Sequence, residues 1–301
     1  MGLAYCILAH KNPAQTARLI RALEGPGNVF LVHYEKRAPQ AEHRELARLC
    51  EAIPGVRFLK PQRIFWGRFS VIGVQLEAIR QALDTGDAWT HLITLSGQDF
   101  PLRSQAAIQA DLASTPAQSF VSWFDPVANR LWKNLDDRIG RYYFECAPLE
   151  DFLQFPFIGR RVRGLLGWRG QIPSVPGIRR RVPEWFHYRG GSNHVILSRE
   201  AARYIVGDPR ALRITGWLRH SGIPDESLFQ SILLNSPLAS TVVNDDRRAI
   251  LWKQLGDPSP STLTAADLPW INEQRAQGRL FARKFDAAVD VSVLNTLEQE
   301  L

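Results

Sequence analysis

Cysteine is scarce in this 301-residue chain, with Cys6, Cys50 and Cys146 the only three. That count and those spacings make neither an even disulfide framework nor a metal-ligand pattern, which points to buried thiols in a reducing compartment. Long apolar runs are missing as well. The first, Leu3 to Ala9, is closed by His10-Lys11-Asn12-Pro13, whereas a membrane span needs about 20 apolar residues. It reads as a first strand rather than a signal peptide, and the chain as cytoplasmic and of bacterial type. Neither Gly-x-Gly-x-x-Gly nor a Walker loop opens the first helical pattern, which argues against a dinucleotide dehydrogenase or an NTPase. Asp-x-Asp is absent too, so no such pair stands at a strand end to hold a divalent cation. Acidic residues vanish altogether between Asp151 and Glu184, a gap that holds Arg160, Arg161, Arg163, Arg169, Arg179, Arg180 and Arg181.

That gap accounts for much of a net charge of +7, which favours polyanionic partners. The basic excursion, residues 158–182, reads either as a solvated loop with some Arg stems packed on the core, or as a contact for anionic membrane or an acidic acceptor. On the second reading Arg160 to Arg181 hold the enzyme peripherally at an inner membrane face. Nucleic acid is disfavoured, since no zinc-finger spacing, helix-turn-helix pattern or aromatic RNA-binding motif accompanies the arginines.

Ordinary globular proportions, 45% hydrophobic and 22% charged, leave enough apolar surface for a sizeable core. The rhythm is strand, helix, strand. Leu3 to Ala9 precedes a helical pattern from Pro13 to Leu23 and then Val29 to His33; Ala41 to Ile53 precedes Val56 to Leu59; and Ser70 to Leu83 precedes His91 to Ser96. Three or four parallel strands with crossover helices follow, an α/β, Rossmann-type sheet flanked by helices. The chain reads as a single domain with a C-terminal extension, residues 1–110 being the nucleotide-binding βαβ part and 111–301 the acceptor-side and catalytic part. Such sheets bind ligands beyond the carboxyl ends of their strands. The segments there are His10-Lys11, His33 to Arg37, Ile64 to Gly67 and Ser96 to Pro101.

Two further segments suit sugar transfer from a nucleotide diphosphate. Ile223-Pro224-Asp225-Glu226-Ser227 supplies a carboxylate that can deprotonate an acceptor hydroxyl. Phe281-Ala282-Arg283-Lys284-Phe285-Asp286 supplies two cations for a departing diphosphate. Each has a plainer reading: Glu226 as a helix N-terminal residue, and Arg283-Lys284 as the solvated face of an edge strand. With no phosphate loop, a diphosphate bound here has to be met by side chains.

Tyr5 to His10, His33 to Arg37, Trp66-Gly67, Leu95 to Pro101, Gly190 to Asn193, Pro224 to Phe229 and Phe281 to Asp286 together carry a resemblance. In order and approximate spacing they are similar to the motifs of the core-2/I-branching N-acetylglucosaminyltransferase and peptide O-xylosyltransferase family, glycosyltransferase family 14. The resemblance covers nearly the whole chain. It implies a GT-A-like fold, an inverting mechanism, a UDP-sugar donor carrying xylose or N-acetylglucosamine, a glycan or peptide acceptor, and no metal cofactor. Position by position it implies Glu226 as catalytic base and Arg283 with Lys284 as the diphosphate contacts. Ala9, Glu35, Arg37, Ile64, Phe65, Trp66, Asp99 and Ser259 fall on other donor-side positions. Glu35 stands where the xylosyltransferases keep Asp, and a structural strand-end carboxylate is its alternative. Asp99 is open to a turn-fixing role through its own backbone contacts.

Two departures from the pattern concern the acceptor. Gly67 is followed by Arg68, which sets a large cation near the donor or acceptor mouth, and Asn193 is followed by His194 where an aromatic is usual. Arg before the Lys leans towards the xylosyl branch. A reading from another class, a non-catalytic UDP-sugar or polyanion-binding protein on the same fold, is separated from the enzyme by a donor-hydrolysis assay.

Overall fold

Strand β1, Gly2–Ala9, is buried on both faces, as a central parallel strand must be. It lies between β2 (Val29–Tyr34) and β4 (Trp89–Ser96), parallel to both. With β3 (Val56–Phe58) outside β2, four parallel strands form half of a seven-stranded sheet ordered β3-β2-β1-β4-β7-β6-β8, where β8 is the short strand Val242–Val243. In the other half only β7 reverses direction. Strand β7 (Gly190–Ser198) runs antiparallel to β4, and β6 (Ser119–Phe124) antiparallel to β7. A smaller sheet, ordered β5-β10-β9, comprises Asp99–Pro101, Phe281–Arg283 and Arg248–Ile250. The computed structural model describes residues 1–86, 88–129, 132, 135–145, 161, 178–253 and 259–301.

Alternation along β1 sorts its side chains between two cores. Leu3, Tyr5, Ile7 and Ala9 face a layer containing α1 (Pro13–Ala22), α2 (Gln40–Cys50), α4 (Gln105–Ala113) and the C-terminal helix Ser292–Gln299. Ala4 and Cys6 face α3 (Phe69–Asp84) and the helices Arg199–Gly207, Pro209–Leu218 and Leu228–Leu234. The result is a sheet with helices on both faces, as expected for the α/β class. Helix starts follow local chemistry. Pro13 opens α1, the Ser104 and Ser198 hydroxyls accept from Ala107 N and Ala201 N, and Asp208 caps the helix opened by Pro209.

The C-terminal extension, from Phe281 onward, is built into the core. Phe281, Phe285, Val293, Leu294 and Leu297 are fully buried in the same core as Leu3 and Tyr5. Nor is Arg283 on an edge strand, because β10 is the middle strand of its sheet, paired with β5 and β9. The chain must therefore return from its far end to complete the wall beside β1 and β4.

Gly190 and Gly191 open β7 where other atoms crowd the backbone. A Cβ on Gly190 would meet the Trp132 ring at 2.5 Å, and one on Gly191 the Ser122 carbonyl oxygen at 1.9 Å. Gly191→Ala is therefore expected to cost about 1–3 kcal/mol or more, as overpacking against backbone does. Gly216→Ala, in the open interior of helix Pro209–Leu218 with nothing within 4 Å, should gain roughly 0.5–1 kcal/mol. Paired urea melts check both, and an unaffected Gly191 variant would refute the close approach.

Candidate functional site

Three chain segments converge beyond the carboxyl ends of the parallel strands. A cleft of about 680 Å³ is lined by Ala9 and His10 after β1, by His33, Glu35 and Arg37 around the end of β2, and by Ile64 and Trp66. Five of the residues expected on the donor side thus share one concavity. Glu35 is its organiser. One carboxylate oxygen accepts from Arg37 N at 3.2 Å and Nε at 3.0 Å, and the other from Ile64 N at 3.0 Å. Arg37 also donates to the Ile64 carbonyl at 2.8 Å. Burial alone would raise the Glu35 carboxyl, but these hydrogen bonds hold it below the usual range. Trp66 is 65% exposed, a large apolar face left open at the cleft.

Phe65 departs from the expectation. Its side chain is buried and is not among the cleft-lining residues. Its backbone N–H donates to Ser70 Oγ at the start of α3 at 2.9 Å, and the Arg63 guanidinium lies over its ring, 4.6 Å from the centroid. Arg68 departs too. Its guanidinium is buried over the Tyr143 ring, 5.5 Å from the centroid, so it is no open cation at a mouth.

The Glu226 segment is tied directly to this wall. Ile223 N donates to the Gly67 carbonyl at 2.9 Å, with both residues in the left-handed region (φ 49° and 68°). For a β-branched residue that conformation is strained by about 1–3 kcal/mol and is held only by its surroundings. Pro224–Glu226 then form a single 3₁₀ turn leading into helix Leu228–Leu234, so Glu226 is near a helix start as well as at the site. Glu226 Oε2 accepts from Arg138 Nη1 at 2.6 Å, and the Arg138 guanidinium lies 3.8 Å from the Trp132 ring centroid. Nothing local marked Arg138, since Asp136-Asp137-Arg138 reads as an ordinary solvated helix turn. Asp225 is buried beside it, and its Oδ2 accepts weakly from Asn193 Nδ2 at 3.4 Å. Burial and the adjacent Glu226 charge push its carboxyl up to about 6.

On the other flank the cationic doublet divides. Lys284 Nζ donates to Ser259 Oγ at 2.9 Å, which joins two of the expected diphosphate contacts. Arg283 turns to the interior, where Nη1 donates to His194 Nε2 on β7. Asp99 is the register partner of Arg283 and is 1% exposed. Its Oδ2 accepts from Ser96 N at 2.5 Å and Ser96 Oγ at 2.6 Å, so it fixes the β4–β5 turn and is closed to a sugar. Burial opposes its charge, yet the Arg283 guanidinium, reinforced by Arg248, holds the carboxyl below its usual value. Further along, Asp286 accepts from Lys11 Nζ at 2.5 Å and Asn12 Nδ2 at 2.9 Å, and Gln15 donates to the Gly97 and Phe285 carbonyls. These bonds bind the ends of β1, β4 and β10 together. His194 had a signal in the sequence, an unusual neighbour of Asn193, while Arg248 and Gln15 had none.

Most of the basic excursion and Cys146 lie outside the described residues. Of its arginines, Arg180 is no surface cation, being buried against the Trp217 ring at 3.8 Å and the Tyr142 ring at 4.9 Å. Arg179 pairs with Asp136, and Arg161 and Arg181 are exposed. Among the described residues no helix is long and apolar enough to cross a membrane, and no three His, Cys, Asp or Glu side chains group as a metal site.

The family model for the Core-2/I-branching enzyme matches residues 3–272. The chain belongs to that family. Human xylosyltransferase 2 is 26% identical over 319 aligned positions, which take in 99% of this chain and 33% of that protein. A zebrafish beta-1,3-galactosyl-O-glycosyl-glycoprotein beta-1,6-N-acetylglucosaminyltransferase 4 is 23% identical, over 99% of this chain and 69% of that protein. This family member therefore spans about a third of the length of the xylosyltransferases it matches. Among solved structures, apo mouse xyloside xylosyltransferase 1 aligns with 84% of this chain and 89% of its own at 12% identity, with a TM-score of 0.37.

Asp225 provides a test of the site's electrostatics. A carboxyl at about 6 in the folded chain against 3.8 when unfolded means that the native state binds more protons, so stability falls as pH rises from about 4 to 6 and stays reduced above. Asp225→Asn is expected to raise stability at pH 8 by on the order of 1–3 kcal/mol and to change it little near pH 4. Urea titrations at the two pH values measure this, and an equal effect at both would show that Asp225 ionises normally.

Proposed function

We propose that this chain is an inverting glycosyltransferase that moves xylose or N-acetylglucosamine from a UDP-sugar to a hydroxyl of a glycan or protein acceptor. The observation that carries the reading is the hydrogen bond between Ile223 and Gly67, which sets the Glu226 turn against the strand-end cleft of Ala9, Glu35, Arg37, Ile64 and Trp66. A base beside a nucleotide-sized cavity is the minimum geometry for attack on a bound sugar. Support also comes from family membership and from relatives named xylosyltransferase and beta-1,6-N-acetylglucosaminyltransferase.

In this mechanism the uridine end lies in the cleft, where the Glu35 carboxylate and the Ile64 carbonyl offer acceptors, and Trp66 offers an apolar face. Lys284 meets the diphosphate with Ser259, and Arg283 adds its charge from the wall. Glu226 takes the proton of the acceptor hydroxyl through Oε1 while Arg138 retains Oε2 through a single bond that keeps the carboxylate oriented. The attacking oxygen forms its bond to the anomeric carbon on the face opposite UDP, the bond to the diphosphate breaks with its electron pair, and configuration inverts. Proton transfer of this kind contributes about 10²–10⁴-fold, and fixed charge at the leaving group the larger share. The cationic side chains take the part a metal ion plays elsewhere. An acceptor in bacterial surface polysaccharide synthesis, with the exposed part of the basic excursion near an anionic membrane, fits the charge of the chain.

Glu226→Gln should keep UDP affinity and lose transfer by at least about 10²-fold, assayed by UDP release with a panel of acceptors; a variant that still turns over normally would remove Glu226 as base. Lys284→Ala should weaken UDP binding about tenfold in calorimetry, equal to about 1.4 kcal/mol. Transfer should persist in EDTA. Loss on chelation with recovery on adding manganese would overturn the side-chain account of the diphosphate.

A further inference from the structure

His194 is buried in β7, and four other strands present polar groups to it. Asp99 comes from β5, Arg248 from β9, Arg283 from β10, and the Thr94 carbonyl of β4 is a hydrogen-bond partner. Arg283 Nη1 donates to Nε2 of the ring. A guanidinium has no acceptor, so Nε2 is the bare ring nitrogen and the hydrogen sits on Nδ1, with the Thr94 carbonyl as the ring's other partner. Arg248 Nη2 donates to that same carbonyl at 2.6 Å, and its guanidinium lies over the Phe281 ring. Burial and then the Arg283 charge hold the imidazole well below its usual range, so it is neutral.

Neutrality sets the charge of the whole cluster. Asp99 and, on the Arg248 side, Asp246 are the carboxylates that face the Arg248 and Arg283 guanidinium groups, and a neutral His194 takes nothing from the positive charge of Arg283 beneath the Lys284 loop. A carboxylate in place of His194 would orient Arg283 as well but cancel that charge, and an apolar side chain would keep the charge but leave Nη1 unheld. Resting on the donor reading above, we propose that His194 is a positioning residue for the leaving diphosphate: its uncharged Nε2 fixes the Arg283 guanidinium without neutralising it. Positive charge preorganised in a water-poor wall stabilises a developing anion more than the same charge in solvent.

The test is calorimetric titration of the full chain with UDP, for wild type, His194→Gln, His194→Glu and His194→Leu. Gln places an uncharged oxygen at about the reach of Nε2, and Glu is its charged near-isostere. Expected is affinity within about threefold of wild type for Gln and at least about tenfold weaker for both Glu and Leu. A merely structural role would not separate Gln from Glu, so equal affinities for that pair overturn the inference, as does a Leu variant that binds like wild type. ¹⁵N NMR of the imidazole decides independently of any variant's folding: an unprotonated Nε2 at neutral pH is expected, and a protonated one overturns the proposal. Folded wild-type protein blind to UDP would sink the donor reading itself, whereas failure of the Gln-to-Glu contrast in a UDP-binding protein sinks only the role of His194.

Discussion

Charge that must be buried shapes the wall of this molecule. Asp99, Arg248 and His194 are all nearly inaccessible to solvent, and Arg283 is half-buried among them. Burying a charge without partners is prohibitive, so these groups have to arrive together, from four strands that lie far apart in sequence. Asp99 is held by Ser96 through two hydrogen bonds, Arg248 by the Thr94 carbonyl, and Arg283 by His194. The small sheet β5-β10-β9 carries three of the four, with Arg283 and Asp99 in direct register and Arg248 opposite Phe281.

The same assembly sets the cleft and the carboxylate around the strand ends. Asp286 bonded to Lys11 and Asn12, and Gln15 bonded to Gly97 and Phe285, draw β1, β4 and β10 to one rim. The strained Ile223 reaches Gly67 on the other side. Between these fastenings the nucleotide-sized cavity is bordered by residues from widely separated positions, and the Glu226 turn cannot shift without loosening the Trp66-Gly67 loop.

Arginine serves three purposes here that composition alone cannot separate. Arg37 and Arg138 orient carboxylates at the site. Arg68 and Arg180 are buried on aromatic rings, where the flat guanidinium packs as an apolar face. Arg179 forms an exposed ion pair with Asp136, of a type that adds about 0–1 kcal/mol. A basic chain can thus keep much of its charge away from any surface that meets an anion.

The parallel half of the sheet was legible locally, because fully buried strands write themselves as apolar runs such as Leu3 to Ala9, and helices between them start at Pro13 and at capping serines. The strand-end positions of Ala9, Glu35, Arg37, Ile64 and Trp66 followed from the same pattern, since ligands meet such sheets at the carboxyl ends. The orientation of Phe65, the closure of Asp99 to solvent, the interior course of Arg180 and the pairing of Arg283 with His194 were not legible. Phe65 and Asp99 rest on bonds to Ser70 and Ser96 whose geometry a residue pattern does not fix, while Arg180 and Arg283 depend on Trp217 and His194, partners tens of positions away of which a one-dimensional pattern carries no record. The amino-acid sequence by itself determined the alternating elements and the residue types available at their ends. Tertiary structure alone decided which charges are buried and which face the cleft, because desolvation is a property of neighbours in space.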